Sequence, residues 1–476
     1  MNLADKVYKD MPKPKPKPKP KPGQLTSTLD WRTLDLIYAH PAQSANNRIV
    51  RRLIGMLRQC ETPSEYYEFQ KHLFQAVYKA DTRRSESNRA LKRLKAGKTA
   101  DAPTPPSGLA QSEVESWQLE AFVYERIARQ LRSVGDALAW QRLNYDRRLI
   151  LTLSRNSPAG MISGKDGLDY ELGRIETIWN ESGHFALLHD LTNCLRMGDI
   201  SEFTSDGGLL FHEVKKDPKY VNKEQIKRIQ QAIDGITKGG KLPGHQADAR
   251  ITELTTPYRT DLKKLQDLLK LARRDGFKGI KLDDGRALMA LSLPDTLRLY
   301  GSGDRQKIAT DRYPAERAAV IRRAGIDHVA HHLLGNSRDT AARAPYIAPW
   351  AIYPFSEEDC ADLICDLIMF ESILSVDHLA ERLKELELGV EIKLLEEYGH
   401  SGSPEEDVLR ATWRDRGLTL HGGGLNTLLY ELLQPKTWAK GVYELLTADD
   451  PPQNPIVMFN DEESTWWHPK TKQQLK

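Results

Sequence analysis

The stretch LRMGDISEFTSDGGLLFHEVKKD, residues 195–217, is the most informative segment of the sequence. Two runs of strand-like composition flank residues 204–208, which read Thr-Ser-Asp-Gly-Gly. Such residues favour tight turns, and glycine adopts positive φ angles without steric cost. The stretch therefore predicts a β-hairpin with a three-residue loop, residues 205–207, and with Thr204 paired to Gly208.

This register would place Asp199 directly opposite Glu213. Opposed β-carbons of antiparallel strands lie about 4.5–5.5 Å apart, so two carboxylates there can bind one small divalent cation. Side chains alternate along a strand, so Lys215 shares a face with Glu213. The predicted hairpin thus collects Asp199, Glu213 and Lys215 on one face, whereas a shift of one residue would move Asp199 to the other.

Two acids and one lysine suit the hydrolysis of a phosphodiester bond. A hard cation held by carboxylates neutralises charge on the phosphate and polarises the attacking water. A neighbouring lysine can orient or deprotonate that water and stabilise developing negative charge. The trio therefore predicts metal-dependent hydrolysis with Mg²⁺ or Mn²⁺.

The segment around these residues resembles the PD-(D/E)xK, or restriction-endonuclease-like, superfamily of nucleases. The resemblance covers roughly residues 168–236 and rests on Gly198-Asp199, on Glu213-Val214-Lys215 fourteen residues later, and on the polar helical run after it. It implies that Asp199 and Glu213 bind the metal and that Lys215 serves the water. Glycine stands in place of the usual proline before the first acid.

The resemblance also implies two further site residues. Many members carry a Glu on the helix before the first strand, for which Glu176 is the candidate, with Glu171 and Glu181 as rivals. Gln225 is a candidate to contact DNA or position water. Ile229 stands where RecB-type nucleases have a Tyr, so their full signature is absent.

A second Glu-x-Lys occurs at Glu391 and Lys393. Its upstream candidate, Asp377, is predicted to lie in the first turn of a helix capped by Ser375, so it should not face Glu391. His328 and His332, four residues apart, could bind a metal from one helix, but a helix end with exposed histidines is the favoured interpretation. The hairpin therefore remains the predicted site.

Apolar spacing predicts secondary structure elsewhere. Helices are expected over 28–95, over 111–193 with a break at 154–167, and over 256–275, 355–374 and 377–386. A hairpin should turn at Asp284-Gly285, and strands are possible at 389–395, 418–421 and 455–460.

Charge is distributed unevenly along the chain. Residues 1–100 contain 21 basic and 9 acidic residues, and residues 345–476 contain 11 basic and 24 acidic ones. This polarity suggests that the two ends meet different partners: nucleic acid at the basic end, and a protein or a second copy of the chain at the acidic end.

Two basic segments are candidates to bind nucleic acid. The segment MPKPKPKPKPKPG, residues 11–23, should be extended and is either a phosphate-binding arm or a solvated spacer. Arg51 and Arg52 lie on a predicted helix, where they form either a nucleic-acid surface or a solvated face. The lysines of the first segment are Lys13, Lys15, Lys17, Lys19 and Lys21.

Composition is that of a globular protein, with 39% hydrophobic and 28% charged residues. No apolar run reaches the length of about 18 residues that a membrane span needs, and no signal peptide is recognisable. The four cysteines are scattered and contain no CxxC pair, so neither a disulfide framework nor a zinc site is expected. A reducing, cytoplasmic setting fits best.

The 476 residues predict a multidomain, mixed α/β protein. The expected parts are a Lys-Pro tether (1–27), a basic helical region (28–100), a restriction-endonuclease-like α/β core with its preceding helices (111–255), a helix-hairpin-helix connection (256–344) and an acidic α+β domain (345–476). The expected function is a DNA nuclease, such as a bacterial defence or mobile-element enzyme. An RNA-cleaving effector and a catalytically silent binding scaffold remain alternatives.

Overall fold

A computed structural model describes residues 36–97, 112–154, 159–214, 249–300, 311–326, 332–336, 347–393, 407–449 and 454–460, with the single residues 227 and 231. The chain is a mixed α/β protein that combines helices with several small sheets, as expected. In this described part of the chain, no helix combines the length and the apolar character that a membrane span requires.

The N-terminal part is helical. Its helices are α1 (Pro41–Leu57), α2 (Pro63–Lys95), α3 (Glu113–Arg142), α4 (Arg147–Leu153) and α5 (Leu168–Ser182). Helix α2 begins with a capping box, in which Thr62 Oγ1 accepts from Glu65 N and Glu65 Oε2 accepts from Thr62 N. This reciprocal pair satisfies two donors that a helix start leaves open, so the sequence itself defines where α2 begins.

A three-stranded antiparallel sheet follows α5. Its strands are β1 (Phe185–Leu188), β2 (Ile200–Phe203) and β3 (Leu209–His212), with β2 in the centre. Ile200 pairs with His212 and Phe203 with Leu209, and Thr204 N donates to Gly208 O at 2.9 Å. The predicted hairpin register is therefore confirmed.

The helix predicted to run to residue 193 is wrong at its end. Phe185–Leu188 forms β1, and all four of its side chains are buried. An apolar run without a polar face has no period that distinguishes a strand from a buried helix.

The next described segment contains β4 (Ala249–Pro257), α6 (Leu262–Asp275), β5 (Phe277–Asp283), β6 (Arg286–Ser292) and α7 (Leu293–Tyr300). The helix predicted from residue 256 begins six residues later, because the chain is still in β4 there. The predicted turn at Asp284-Gly285 is confirmed. Gly285 has φ +75°, and a β-carbon there would lie 2.3 Å from the His378 ring, so only glycine fits.

A second, four-stranded antiparallel sheet has the order β5-β6-β8-β7. Two of its strands are β7 (His332–Asn336) and β8 (Ile368–Ser375), and the same part of the chain contains the helices α8 (Tyr313–Arg323), α9 (Glu357–Ile364) and α10 (Val376–Lys384). The helix predicted over 355–374 is wrong in its second half, because Asp366 adopts φ +56° and the chain continues as β8. His332 lies in β7 rather than on a helix, whereas His328 lies outside the described residues.

The C-terminal part contains β9 (Gly389–Ile392), β10 (Asp407–Trp413), β11 (Arg416–His421), α11 (Asn426–Tyr430), α12 (Pro435–Thr447) and β12 (Asn454–Asn460). Strands β9, β10 and β11 form an antiparallel sheet, and β12 pairs with β4 in parallel. The strands expected near residues 389, 418 and 455 are confirmed. Strand β4 pairs with β12 and not with the β1–β3 sheet.

The basic N-terminal helices pack against the acidic C-terminal part. Asn47 Nδ2 on α1 donates to Asp362 Oδ1 at 3.0 Å. Arg126 on α3, a helix after the basic region, forms a buried ion pair with Asp366 at 2.5 Å. One cluster of buried side chains extends from Ile37 to Leu446. The two charged ends therefore meet each other in part, while the domain boundaries drawn from the sequence stay predictions.

Candidate functional site

Asp199 stands immediately before β2 and is held by both neighbouring strands. Gly198 adopts φ +76°, a conformation that glycine supplies without strain and that leads the chain into β2. The Asp199 backbone donates to His212 O at 2.9 Å and accepts from His189 N at 3.0 Å. Its side chain is half-buried, and Oδ2 accepts from Val214 N at 2.8 Å.

Glu213 follows the last residue of β3 and is also half-buried. The last ladder pair is Ile200 with His212, so one further step along both strands places Asp199 opposite Glu213. The Val214 N–H that Asp199 binds belongs to the peptide joining Glu213 to Val214. Two of the three predicted hairpin residues therefore adjoin each other. Lys215 lies outside the described residues, as does Gln225.

A third acid, Glu171, lies in the first turn of α5 and is only 1% exposed. Its Oε1 forms an ion pair with Lys165 Nζ at 2.6 Å, and the same ammonium contacts Asp190 Oδ2 at 2.7 Å. Its Oε2 is buried and has no hydrogen-bond partner. Asp190 lies in the short 3₁₀ helix that follows β1. We call Glu171, Asp190, Asp199 and Lys165 the carboxylate cluster.

Electrostatics link the members of this cluster. Burial raises the pKa of Glu171 to about 7; Lys165 opposes this rise, and the carboxylates of Asp199 and Asp190 add to it. Burial works against the Lys165 ammonium, but its contacts with Asp190 and Glu171 prevail and raise the pKa of Lys165. The cluster thus contains more negative charge than its one lysine neutralises, a setting that favours a bound cation.

A buried arginine fixes the segments that carry Lys165 and Asp190. Arg132 on α3 donates from Nε to the Asp190 carbonyl at 2.9 Å and from Nη2 to the Gly160 carbonyl at 2.9 Å. It also pairs with Asp81 on α2 at 2.7 Å, and Asp81 Oδ2 accepts from Ile162 N at 2.8 Å. The loop before α5 and the 3₁₀ helix after β1 are therefore held to the same pair of long helices.

His189 supports Asp199 from the interior of the sheet. Its Nδ1 lies 3.0 Å from the Gly198 carbonyl and its Nε2 2.6 Å from Ser201 Oγ. A carbonyl can only accept, so Nδ1 carries the proton and Nε2 accepts from the Ser201 hydroxyl. Burial lowers the pKa of His189 to about 4, so the ring is neutral at pH 7 and positions the turn before Asp199.

Glu176, the predicted helix residue, is not part of this cluster. It is exposed and interacts with Lys71 on α2, and its rival Glu181 is exposed as well. Five residues separate Glu171 from Glu176, which is a rotation of about 140° around a helix, so both cannot face the sheet. The buried stripe Leu168, Glu171, Ile175 and Ile178 was available in the sequence as a signal favouring Glu171.

The remaining predicted residues are dispersed. Arg51 and Arg52 are exposed on α1, and Arg51 lies 3.9 Å from Glu358 at the start of α9. The lysines of the Lys-Pro segment lie outside the described residues. At the second Glu-x-Lys, Lys393 pairs with the exposed Glu391 beside it.

Asp377 lies in the first turn of α10, whose cap is Ser375, as predicted. The upstream acid considered for the second Glu-x-Lys therefore lies on a helix, whereas Asp199 directly precedes a strand.

Carboxylate oxygens are the donors that Mg²⁺ and Mn²⁺ prefer. Among the residues that the structure describes, no three His, Cys, Asp or Glu side chains converge as a ready-made metal site. Mg²⁺ does not require such a cage, because it commonly binds one or two carboxylates and keeps waters or substrate phosphate as its other ligands. The buried, unpartnered Oε2 of Glu171 fits this use.

Comparisons of the chain with protein-family models, with curated proteins and with solved structures find no match.

Proposed function

We propose that the chain is a metal-dependent nuclease that hydrolyses phosphodiester bonds in DNA with Mg²⁺ or Mn²⁺. The proposal includes a restriction-endonuclease-like core that contains α5 and β1–β3. One observation carries it: the Asp199 carboxylate binds the peptide N–H directly after Glu213, in the register that the sequence predicted. The buried Glu171, whose pKa the charge of Asp199 helps to raise, supplies a further acid.

In this proposal Asp199 and Glu213 hold the metal, and Glu171 is an additional ligand or orients a metal-bound water. When bound, the cation neutralises charge on the scissile phosphate and polarises the attacking water. Lys215 orients that water or takes its proton, the role that the family resemblance implies. His189 keeps Asp199 in place through the Gly198 carbonyl.

The test is cleavage of supercoiled plasmid, linear duplex, single-stranded DNA and RNA by the full chain with Mg²⁺ or Mn²⁺. We expect Glu213→Gln and Lys215→Met to abolish cleavage while far-UV circular dichroism stays unchanged. Glu391→Gln and Lys393→Met form the matched control, because they alter a Glu-x-Lys of the same spacing on an exposed strand.

Loss of cleavage in the control pair alone would place the site at β9 and contradict the proposal. Cleavage of RNA alone would support the metal-dependent chemistry but would make RNA, and not DNA, the substrate. Absence of cleavage on every substrate, together with absence of metal binding, would favour a binding scaffold.

A further inference from the structure

Lys165 is the basic side chain of the carboxylate cluster, and it contacts two acids at once. Its side chain is 31% exposed, and its ammonium lies between Glu171 at 2.6 Å and Asp190 at 2.7 Å. The loop that carries it is fixed through Ile162 to Asp81 and through Gly160 to Arg132. The ammonium is therefore positioned by the fold.

The Lys165 ammonium pairs with only one of the two carboxylate oxygens of Glu171. Lys165 pairs with Oε1 of Glu171, while Oε2 of the same carboxylate is buried and has no partner. Glu171 also feels the negative charge of Asp199. A single lysine thus contacts two acids, Glu171 and Asp190. A buried carboxylate with an unsatisfied oxygen costs free energy that a second cation would recover.

We propose that Lys165 and the divalent cation compete for Glu171, so that metal binding displaces the Lys165 ammonium from this carboxylate. This inference rests on the proposed metal site. In the metal-free protein, Lys165 keeps Glu171 from being an isolated buried charge. When the divalent cation binds, the Lys165 ammonium keeps Asp190 as its partner and moves away from Glu171. Lys165 therefore sets the metal concentration at which the site fills.

The alternative is that Lys165 only anchors its loop. The two roles differ in the sign of one measurement. A competitor weakens metal binding, so its removal tightens binding. An anchor organises the site, so its removal loosens the site and weakens binding.

The experiment measures Mn²⁺ binding to the full chain by electron paramagnetic resonance of free Mn²⁺, without substrate. We expect Lys165→Met to lower the Mn²⁺ dissociation constant by about tenfold, since one positive charge near the cation is removed. Lys71→Met is the control, because Lys71 pairs with Glu68 on the surface of α2, outside the cluster. It should leave the dissociation constant unchanged.

A double-mutant cycle separates direct competition from the general loss of a positive charge. If Lys165 acts through Glu171, the gain from Lys165→Met disappears in a Glu171→Gln background. If the gain persists there at full size, the competition is refuted and only a long-range charge effect remains. Unchanged or weaker binding in Lys165→Met refutes it as well.

Two further readouts keep the result interpretable. Circular dichroism and thermal melting verify folding, and Lys165→Gln serves if the methionine variant is unstable. Should wild type bind Mn²⁺ and cleave while Lys165→Met leaves affinity unchanged, only the inference fails. Should wild type and Lys165→Met both bind no Mn²⁺, the metal site and the inference fail together.

Discussion

At the scale of single residues, Glu171 and Glu176 provide a contrast within one helix. Both are on α5, but Glu171 is buried in the cluster and Glu176 is exposed near Lys71. A ligand that binds only the native state raises its melting temperature. We expect Mn²⁺ to raise the melting temperature of wild type and of Glu176→Gln, and to raise that of Glu171→Gln much less. Equal rises in both variants would exclude Glu171 from metal binding.

His189 makes stability depend on pH. Its folded pKa of about 4 lies below its ordinary value of 6.5, because the ring is buried. The unfolded chain therefore takes up the proton first, so this contribution is complete above pH 6.5 and is lost as pH falls towards 4. The loss is at most about 3 kcal/mol.

Urea unfolding at several pH values between 7 and 4.5 measures this contribution. His189→Gln should flatten the pH dependence, whereas His72→Gln, at an exposed position of α2, should not. If the free energy of unfolding depends on pH equally in His189→Gln and in wild type, the buried ring does not control that dependence.

Some of these site residues could be predicted from the sequence, but the residues that hold them in place could not. Asp199 and Glu213 followed from the register of one hairpin, which is a local property. Glu171 could have been preferred to Glu176 from its place on the apolar stripe of α5. The pairing of Lys165 could not, because the path of its loop depends on Asp81 and Arg132, which are far away in the sequence.

At the scale of secondary structure, elements with a local sequence signal were predicted correctly, and elements that depend on distant neighbours were not. The turns at residues 205–207 and at Asp284-Gly285 have local signals and were confirmed. Strands β1 and β8 were predicted as helix, because both of their faces are largely buried and no alternation of polar and apolar residues marks them. Their strand state follows from neighbours in the sheet: β2 for β1, and β6 and β7 for β8.

The Arg132–Asp81 pair joins α2, α3 and the segments of the cluster, so its loss should be costly. Both side chains are almost fully buried. We expect Arg132→Met to destabilise the protein by about 3–5 kcal/mol, because Asp81 would be left as an uncompensated buried charge. Urea unfolding measures the change.

The double variant Asp81→Asn with Arg132→Met should recover part of that stability. Arg83→Gln is the control on α2, the helix that carries Asp81, since Arg83 pairs with Glu86 at the surface. It should lower the free energy of unfolding by less than about 1 kcal/mol. A small effect of Arg132→Met alone would show that the cluster does not depend on this pair.

At the scale of the whole molecule, buried ion pairs join the acidic C-terminal part to helices that precede β1. Arg147 on α4 forms two hydrogen bonds with Glu431 at 2.9 and 2.8 Å, and the Ala348 N–H and the Tyr258 hydroxyl bind the same carboxylate. Glu431 is 2% exposed. Part of the acidic C-terminal charge therefore has its counter-charge within the chain.

This shared core predicts that residues 1–344 do not fold independently. Without residues 345–476, Arg126 and Arg147 lose Asp366 and Glu431, which leaves two buried cations unpaired. The faces of α1 and α3 that contact α9 and the Trp350–Ile352 turn would also be exposed. We expect the full chain to unfold in urea in one transition by far- and near-ultraviolet circular dichroism, and the 1–344 fragment to lose its near-ultraviolet signal. Two separated transitions in the full chain, or a fragment with native near-ultraviolet signal, would instead support independent domains with a boundary near residue 344.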